Sequence, residues 1–275
     1  MKLKDLRKGI LEEYQYVKDP MDREADLLLS TILHVDLSWI HAYPDWDVPD
    51  DMVKKVFSCI EERKHSRPLP YIFKEKYFYG RPFYVDENVL IPRPETEISV
   101  QEIKKLTKTK DVKILEIGVG SGAVCITLSL ELPFATIHGV DISTEALNIA
   151  KKNAKALSSP VSLWKSNLFE DVNEKYDIIY SNPPYIDQKK MKDLPVSVLK
   201  YEPTIALDGG EDGLMFYKRI INECVNYLTE CGYLVFEIGY DQRLGVTSIL
   251  KESGFHHVKT IKDYQGNDRV VIAWR

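Results

Sequence analysis

The sequence predicts an α/β fold, a mainly parallel seven-stranded sheet with helices on both faces, preceded by a small N-terminal helical bundle. Three observations predict it. From Lys113 onward, short apolar runs alternate with amphipathic stretches. Glycine-rich or proline-rich corners follow the first and fourth of those runs. Before about residue 80, apolar residues instead recur three or four apart.

Residues 1–75 form the bundle. Leu3, Leu6, Ile10, Tyr14 and Val17 fall on one face of a first helix. Asp19 as cap and Pro20 at the first helical position open a second, carrying Ala25, Leu28, Leu29, Ile32 and Leu33. A third follows Pro49-Asp50, with Val53, Val56, Phe57 and Ile60 on its apolar side, and ends before Pro68 and Pro70. No chemistry is evident in these helices. Residues 76–110 read as a connecting hairpin and helix, and residues 111–275 as the α/β domain. Its strands are expected at Lys113–Ile117, Thr136–Val140, Val161–Lys165, Ile178–Ser181, Tyr233–Ile238, His256–Ile261 and Val270–Trp274. Helices are expected at Gly122–Leu132, Thr144–Ala156, Leu214–Leu228 and Gln242–Glu252. In such a sheet, ligands bind beyond the carboxyl ends of the strands, near the point where the strand order reverses.

Composition narrows the class. Of 275 residues 44% are hydrophobic, with 14 Gly, 14 Pro and 4 Cys, which excludes a collagenous, low-complexity or disulfide-stapled chain. The 37 basic and 42 acidic side chains leave a net charge of −5, and neither the first 80 residues nor the remainder is basic. Nucleic acid is therefore disfavoured as the main substrate. No apolar run approaches the roughly 20 residues that cross a bilayer, and the first residues hold no signal-peptide core. Cys59, Cys125, Cys224 and Cys231 have no metal-ligand spacing, and His256 and His257 adjoin a late strand without suggesting a ligand set. The expectation is a cytoplasmic protein with reduced thiols, no metal and no membrane association.

Two motifs carry the chemistry. Glu116-Ile117-Gly118-Val119-Gly120-Ser121-Gly122-Ala123 follows the first strand and opens a helix. Glycine serves there because the backbone must turn sharply or approach a ligand closely. The second strand ends at Asp141, whose carboxylate suits both hydroxyls of a ribose. Together they indicate an adenosine-type cofactor without saying which.

Ser181-Asn182-Pro183-Pro184-Tyr185 follows the fourth strand. A planar amino group is a poor nucleophile because its lone pair is delocalised; the amide rotation barrier of about 18–20 kcal/mol gives the scale. Two acceptors, the side-chain oxygen of Asn182 and the carbonyl of Pro183, suit its two N–H bonds and would aim the nitrogen at an electrophile within about 3–3.5 Å. The prolines stiffen the corner and Tyr185 can pack on the flat group. An electrophile that needs no base is the methyl of S-adenosyl-L-methionine, so methyl transfer to a planar amino nitrogen is the reaction the residues imply.

The chain resembles the peptide chain release factor glutamine methyltransferases of the HemK/PrmC type. The resemblance rests on Gly80 to Val85, Leu90 to Glu97, Glu116 to Gly122, Asn182 to Tyr185, Tyr201-Glu202-Pro203 and Gly266 to Val270. It implies a Rossmann-like class I methyltransferase fold and methylation of the glutamine side-chain amide in the Gly-Gly-Gln motif of release factors. It implies a cofactor site of Glu116, Gly118, Val119, Gly120, Ser121, Gly122 and Asp141, with Asn182 beside the cofactor and Asn167 and Leu168 on the adenine side. By the same resemblance Asn182, Pro183, Pro184 and Tyr185 hold the glutamine, Phe83 walls the pocket, and the helical bundle grips the release factor. Many relatives carry an acid where Asn167 stands. Arg93, Glu95 and Glu97 read as an ion-paired helix start, and Glu202 as support for the loop beyond the Asn182 to Tyr185 clamp. Two other readings share these residues: an exocyclic-amine methyltransferase acting on adenine in nucleic acid, and a non-catalytic module that binds release factor or ribosome. The clamp does not separate the first from the favoured reading; the acidic balance and the lack of a base-reading domain count against it.

Overall fold

Apolar residues at helical spacing gather the N-terminal unit, Met1–Phe73, around a core of its own. The computed structural model describes residues 1–14, 21–107 and 111–275. The described helices of this unit are α1 (Leu3–Glu13), α2 (Met21–Leu33), α3 (Leu37–Ala42), α4 (Asp50–Lys64) and α5 (Leu69–Phe73). Leu3, Leu6, Ile10 and Tyr14 are buried against Ala25, Leu28 and Leu29 of α2 and Val56 and Ile60 of α4. Val17, Asp19 and Pro20 lie outside the described residues. The helices α3 and α5 are too short to show a period in sequence, and Pro70 fits within the first turn of α5, where its missing N–H has no intrahelical acceptor to lose.

The second unit, Lys74–Arg275, begins with a hairpin of β1 (Lys76–Phe78) and β2 (Arg81–Phe83). Its turn residues Tyr79 and Gly80 both have positive φ, 50° and 74°, as a tight two-residue turn requires. A 3-10 turn at Pro94–Thr96 leads into α6 (Glu97–Leu106). Then follow β3 (Lys113–Ile117), α7 (Ala123–Glu131), β4 (Thr136–Asp141), α8 (Thr144–Ala156), β5 (Ser162–Lys165) and β6 (Tyr176–Ser181). The short helices α9 (Gln188–Met191) and α10 (Val196–Tyr201) precede α11 (Met215–Cys224), β7 (Leu228–Glu237), α12 (Arg243–Glu252), β8 (His257–Lys262) and β9 (Asp268–Trp274).

The sheet has seven strands in the order β5-β4-β3-β6-β7-β9-β8. The pairs β5-β4, β4-β3, β3-β6 and β6-β7 are parallel; β9 joins β7 and β8 antiparallel. The central strands are nearly continuous apolar runs because helices cover both faces. From β3 the chain steps one way to β4 and β5, then returns to the other side for β6 and β7. The switch point therefore lies between β3 and β6.

Two adjoining expected boundaries move furthest. The ladder of β7 starts at Leu228 rather than Tyr233, and α11 ends at Cys224 rather than Leu228. The cause is the pairing of Tyr176 with Leu228 across a register irregularity, which draws the polar stretch after Leu228 into the ladder. Thr229 donates to Asp177 Oδ1 at 3.1 Å and fixes that register.

Candidate active site

Four parallel strands end at one edge. Pairing sets Ile117 opposite both Val140 and Ser181, and Asp141 opposite Lys165, so the loops after β3, β4, β5 and β6 converge. Ser181 Oγ donates to the Ile117 carbonyl at 2.8 Å and ties the first loop to the fourth. Between them opens a cleft.

The glycine corner is built by backbone. Gly118 and Val119 both donate to the Val140 carbonyl, at 2.8 and 3.2 Å. Gly118 and Gly120 have φ of 78° and 53°, a region other residues enter at a cost of about 1–2 kcal/mol. A Cβ at either position would meet nothing within 4 Å, so the space beside both is open. Gly122 differs: its φ is 81°, but a Cβ would lie 2.7 Å from Ile126 Cδ1 and 3.2 Å from Ala150 Cβ. Gly122 thus lets α7 and α8 pack closely, and it does not line the cleft, whereas Glu116, Gly118, Val119, Gly120 and Ser121 do.

Two carboxyls stand behind this corner. Asp141 accepts from Gly120 N–H at 2.9 Å on Oδ2 and from Ser143 N–H at 2.9 Å on Oδ1. Burial holds its carboxyl above the usual carboxylate range, against those backbone donors. Glu116 accepts from Cys125 N–H at 2.7 Å, and burial pushes its carboxyl up to about 8, with the nearby Asp141 adding to the shift.

Across the switch point, Asn182, Pro183 and Pro184 line the cleft. Tyr185 does not; it lies beneath the corner, packed against the core on the α11 and α12 face. Phe83 is also away from the cleft, fully buried with its ring edge-on to Phe78 at 6.1 Å. Its strand pairing turns it into the core, which is why it does not wall the pocket. Asn167 and Leu168 both line the cleft. The Asn167 amide donates to Glu170 at 2.6 Å and accepts from Arg219 at 3.3 Å. Leu168 sits at a φ of 53°, held there by Ser166, whose hydroxyl donates to its carbonyl at 2.9 Å.

The segment resembling a charged helix start is a strap. Arg93 donates to Glu202 Oε1 at 2.6 Å, and Ile91 N–H reaches Oε2 at 3.4 Å, joining the Leu90–Glu97 segment to the loop beyond the clamp. Glu97 instead accepts from Tyr79 N–H at 2.7 Å and pins the hairpin turn to α6. Neither arrangement follows from neighbouring residues in sequence.

The Methyltransferase small domain family matches residues 97–201, and the PrmC N-terminal domain family matches residues 14–73. A release factor glutamine methyltransferase of Clostridium botulinum is 39% identical over 98% of this chain and 94% of its own. The Aquifex aeolicus protein of that name is 36% identical over 100% and 96%. This chain belongs to the release factor glutamine methyltransferase family. Solved methyltransferases share the fold at low identity. One from Pyrococcus furiosus has a TM-score of 0.54 at 22% identity, covering 78% of this chain and 97% of that one. The hMettl16 catalytic domain, solved with an RNA hairpin, has a TM-score of 0.59 at 19%, covering 82% and 81%.

Two residues behind the Asn182-Pro183-Pro184 corner escape a reading of local sequence. Gln242 donates to the carbonyls of Tyr185 and Gly213 at 2.9 and 3.0 Å and accepts from Gly239 N–H at 3.0 Å and Tyr217 OH at 3.4 Å. Glu237, at the end of β7, is 2% exposed. An acid inside an otherwise apolar strand, Leu234-Val235-Phe236-Glu237-Ile238, was the available signal.

Proposed function

We propose that this chain transfers a methyl group from S-adenosyl-L-methionine to the side-chain amide nitrogen of the glutamine in the Gly-Gly-Gln motif of peptide chain release factors. What carries the proposal is the meeting, in one cleft of a chain of this family, of the glycine corner and Asp141 with Asn182 and Pro183.

The residues fit the donor. Open space beside Gly118 and Gly120 admits a ligand against bare backbone. Asp141, whose carboxylate is disfavoured by burial, gains from ribose hydroxyls. Glu116, burdened by burial, gains from a positive charge, and the donor carries one at sulfur. Val119 and Ser121 complete the corner, while Asn167 and Leu168 border the adenine side. Bound there, the donor supplies a methyl carbon already activated by its sulfonium.

The chain's own residues do the rest. Asn182 Oδ1 and the Pro183 carbonyl accept the two N–H bonds of the glutamine amide and hold its nitrogen in line, which is alignment rather than base catalysis. Pro183 and Pro184 fix the corner's φ angles. Tyr185 supports it from below, and Gln242 anchors the Tyr185 carbonyl. The Arg93–Glu202 strap holds the far wall. The helical unit, which matches the family's N-terminal domain, grips the release factor, and the reaction belongs in the cytoplasm, where translation terminates.

Incubation with methyl-labelled donor, purified release factor and DNA, followed by mass spectrometry, tests this. Label on the glutamine of the Gly-Gly-Gln peptide is expected; label on adenine, or none on the release factor, refutes it.

A further inference from the structure

The carboxyl behind the clamp has no task in the scheme above. Parallel pairing sets Phe236 opposite Ser181, so Glu237 stands level with Asn182 on the neighbouring strand. Its side chain is buried, and Oε2 has no hydrogen-bond partner among the described residues. Buried polar atoms are nearly always paired, so an orphan beside an active site calls for a reason.

Asn182 supplies one. A carboxamide has an accepting and a donating end of almost the same shape. The clamp requires the accepting end toward the cleft; with the amide turned over, an NH₂ would face the substrate's NH₂. We infer that Glu237 is a positioning residue that accepts from the Asn182 amide N–H and thereby fixes Asn182 Oδ1 toward the substrate nitrogen. This rests on the methyl-transfer reading given above.

The surroundings favour that state in opposed ways. Burial pushes the Glu237 carboxyl up to about 7, with Glu95 adding to the shift; Thr96, Arg269 and Asn182 itself favour the carboxylate. Tyr180 on β6, Tyr185 after the clamp and Tyr217 on α11 also face it, all three with their hydroxyls held neutral by burial. The carboxylate only accepts and so enforces one amide orientation. Once protonated, its O–H can donate to Asn182 Oδ1 and stabilise the reversed amide. Transfer should therefore rise with pH through about 7 and level off above it.

The test is single-turnover transfer to the release factor at saturating donor over about pH 5.5–8.5. The wild-type rate should fall by up to about tenfold per pH unit below its midpoint. Glu237→Gln should be about tenfold slower at the plateau and should lose that limb, because its amide can present either end. Unchanged donor affinity reports that the variant is folded. An independent arm uses Asn182→Asp, which sets two carboxyls against each other. Adding Glu237→Gln supplies an N–H for the new aspartate, so the double variant should exceed Asn182→Asp alone by about tenfold. A Glu237→Gln enzyme that keeps the wild-type rate and acid limb, or a double variant no faster than Asn182→Asp, overturns the inference while wild-type glutamine methylation leaves the reading of function intact. A wild type that methylates no glutamine overturns both.

Discussion

The two sides of the cleft are built by different means. On the β3-β4 side, the glycine corner is held by the end of the next strand: Gly118 and Val119 donate to the Val140 carbonyl, and Gly120 donates to the Asp141 side chain. On the β6-β7 side, the clamp is backbone held by distant side chains. Gln242 reaches it from 57 residues away, and Glu237 sits behind it on another strand. The first side presents acids whose carboxylates are disfavoured by burial, which suits binding a cation and a sugar. The second presents two fixed acceptors on a rigid corner, which suits orienting a nitrogen. Binding of the donor and alignment of the acceptor should therefore fail separately.

The largest effect should come from the clamp. Asn182→Ala is expected to slow transfer by about a hundredfold or more, in line with the loss of one aligned polar group in other active sites, while donor affinity stays within about twofold. Rapid-quench transfer assays measure it, and near-wild-type turnover would merge the two sides. Next, Asp141→Ala should weaken donor binding by about 1.5–3 kcal/mol, as loss of a charged hydrogen-bond acceptor does, and calorimetry reads it directly.

A third prediction concerns protons. In the free protein Glu116 holds its proton up to about pH 8, so at pH 7 it is mostly neutral. A bound cation favours the carboxylate, so donor binding at pH 7 should release close to one proton, and affinity should climb as pH approaches 8. Calorimetry in buffers of different ionisation enthalpy counts that proton, and Glu116→Gln should abolish the release. The stability linkage has the opposite sign. An acid raised from its unfolded value of 4.5 to about 8 makes the fold less stable as pH rises between those values.

A stability effect separates glycines within one motif. Gly118→Ala should cost about 1–2 kcal/mol of stability from its left-handed backbone alone, and should weaken donor binding by filling open space. Gly122→Ala adds crowding against Ile126 and Ala150, worth roughly 1–3 kcal/mol more, and should act on stability first. Urea denaturation of both variants distinguishes them.

The same contrast explains what a reader of the sequence can see. The strands ending at Ile117, Asp141, Lys165 and Ser181 were legible because an apolar run meets a corner whose residue types are dictated locally. Asn182-Pro183-Pro184 could be placed in the cleft for that reason. Tyr185, Phe83 and Gly122 carry the right motif letters but face core or neighbouring helix, since strand pairing and packing decide where a side chain points. Glu237, Gln242 and the Arg93–Glu202 strap were hidden for a related reason: their partners lie far along the chain, and only the closed sheet brings them together.

Turnover measured against donor concentration, for Asn182→Ala and Asp141→Ala side by side, tests the division of labour most directly. Asp141→Ala should need more donor yet reach the wild-type plateau, whereas Asn182→Ala should keep the wild-type midpoint at a plateau about a hundredfold lower. Curves that shift and fall together in both variants would contradict it.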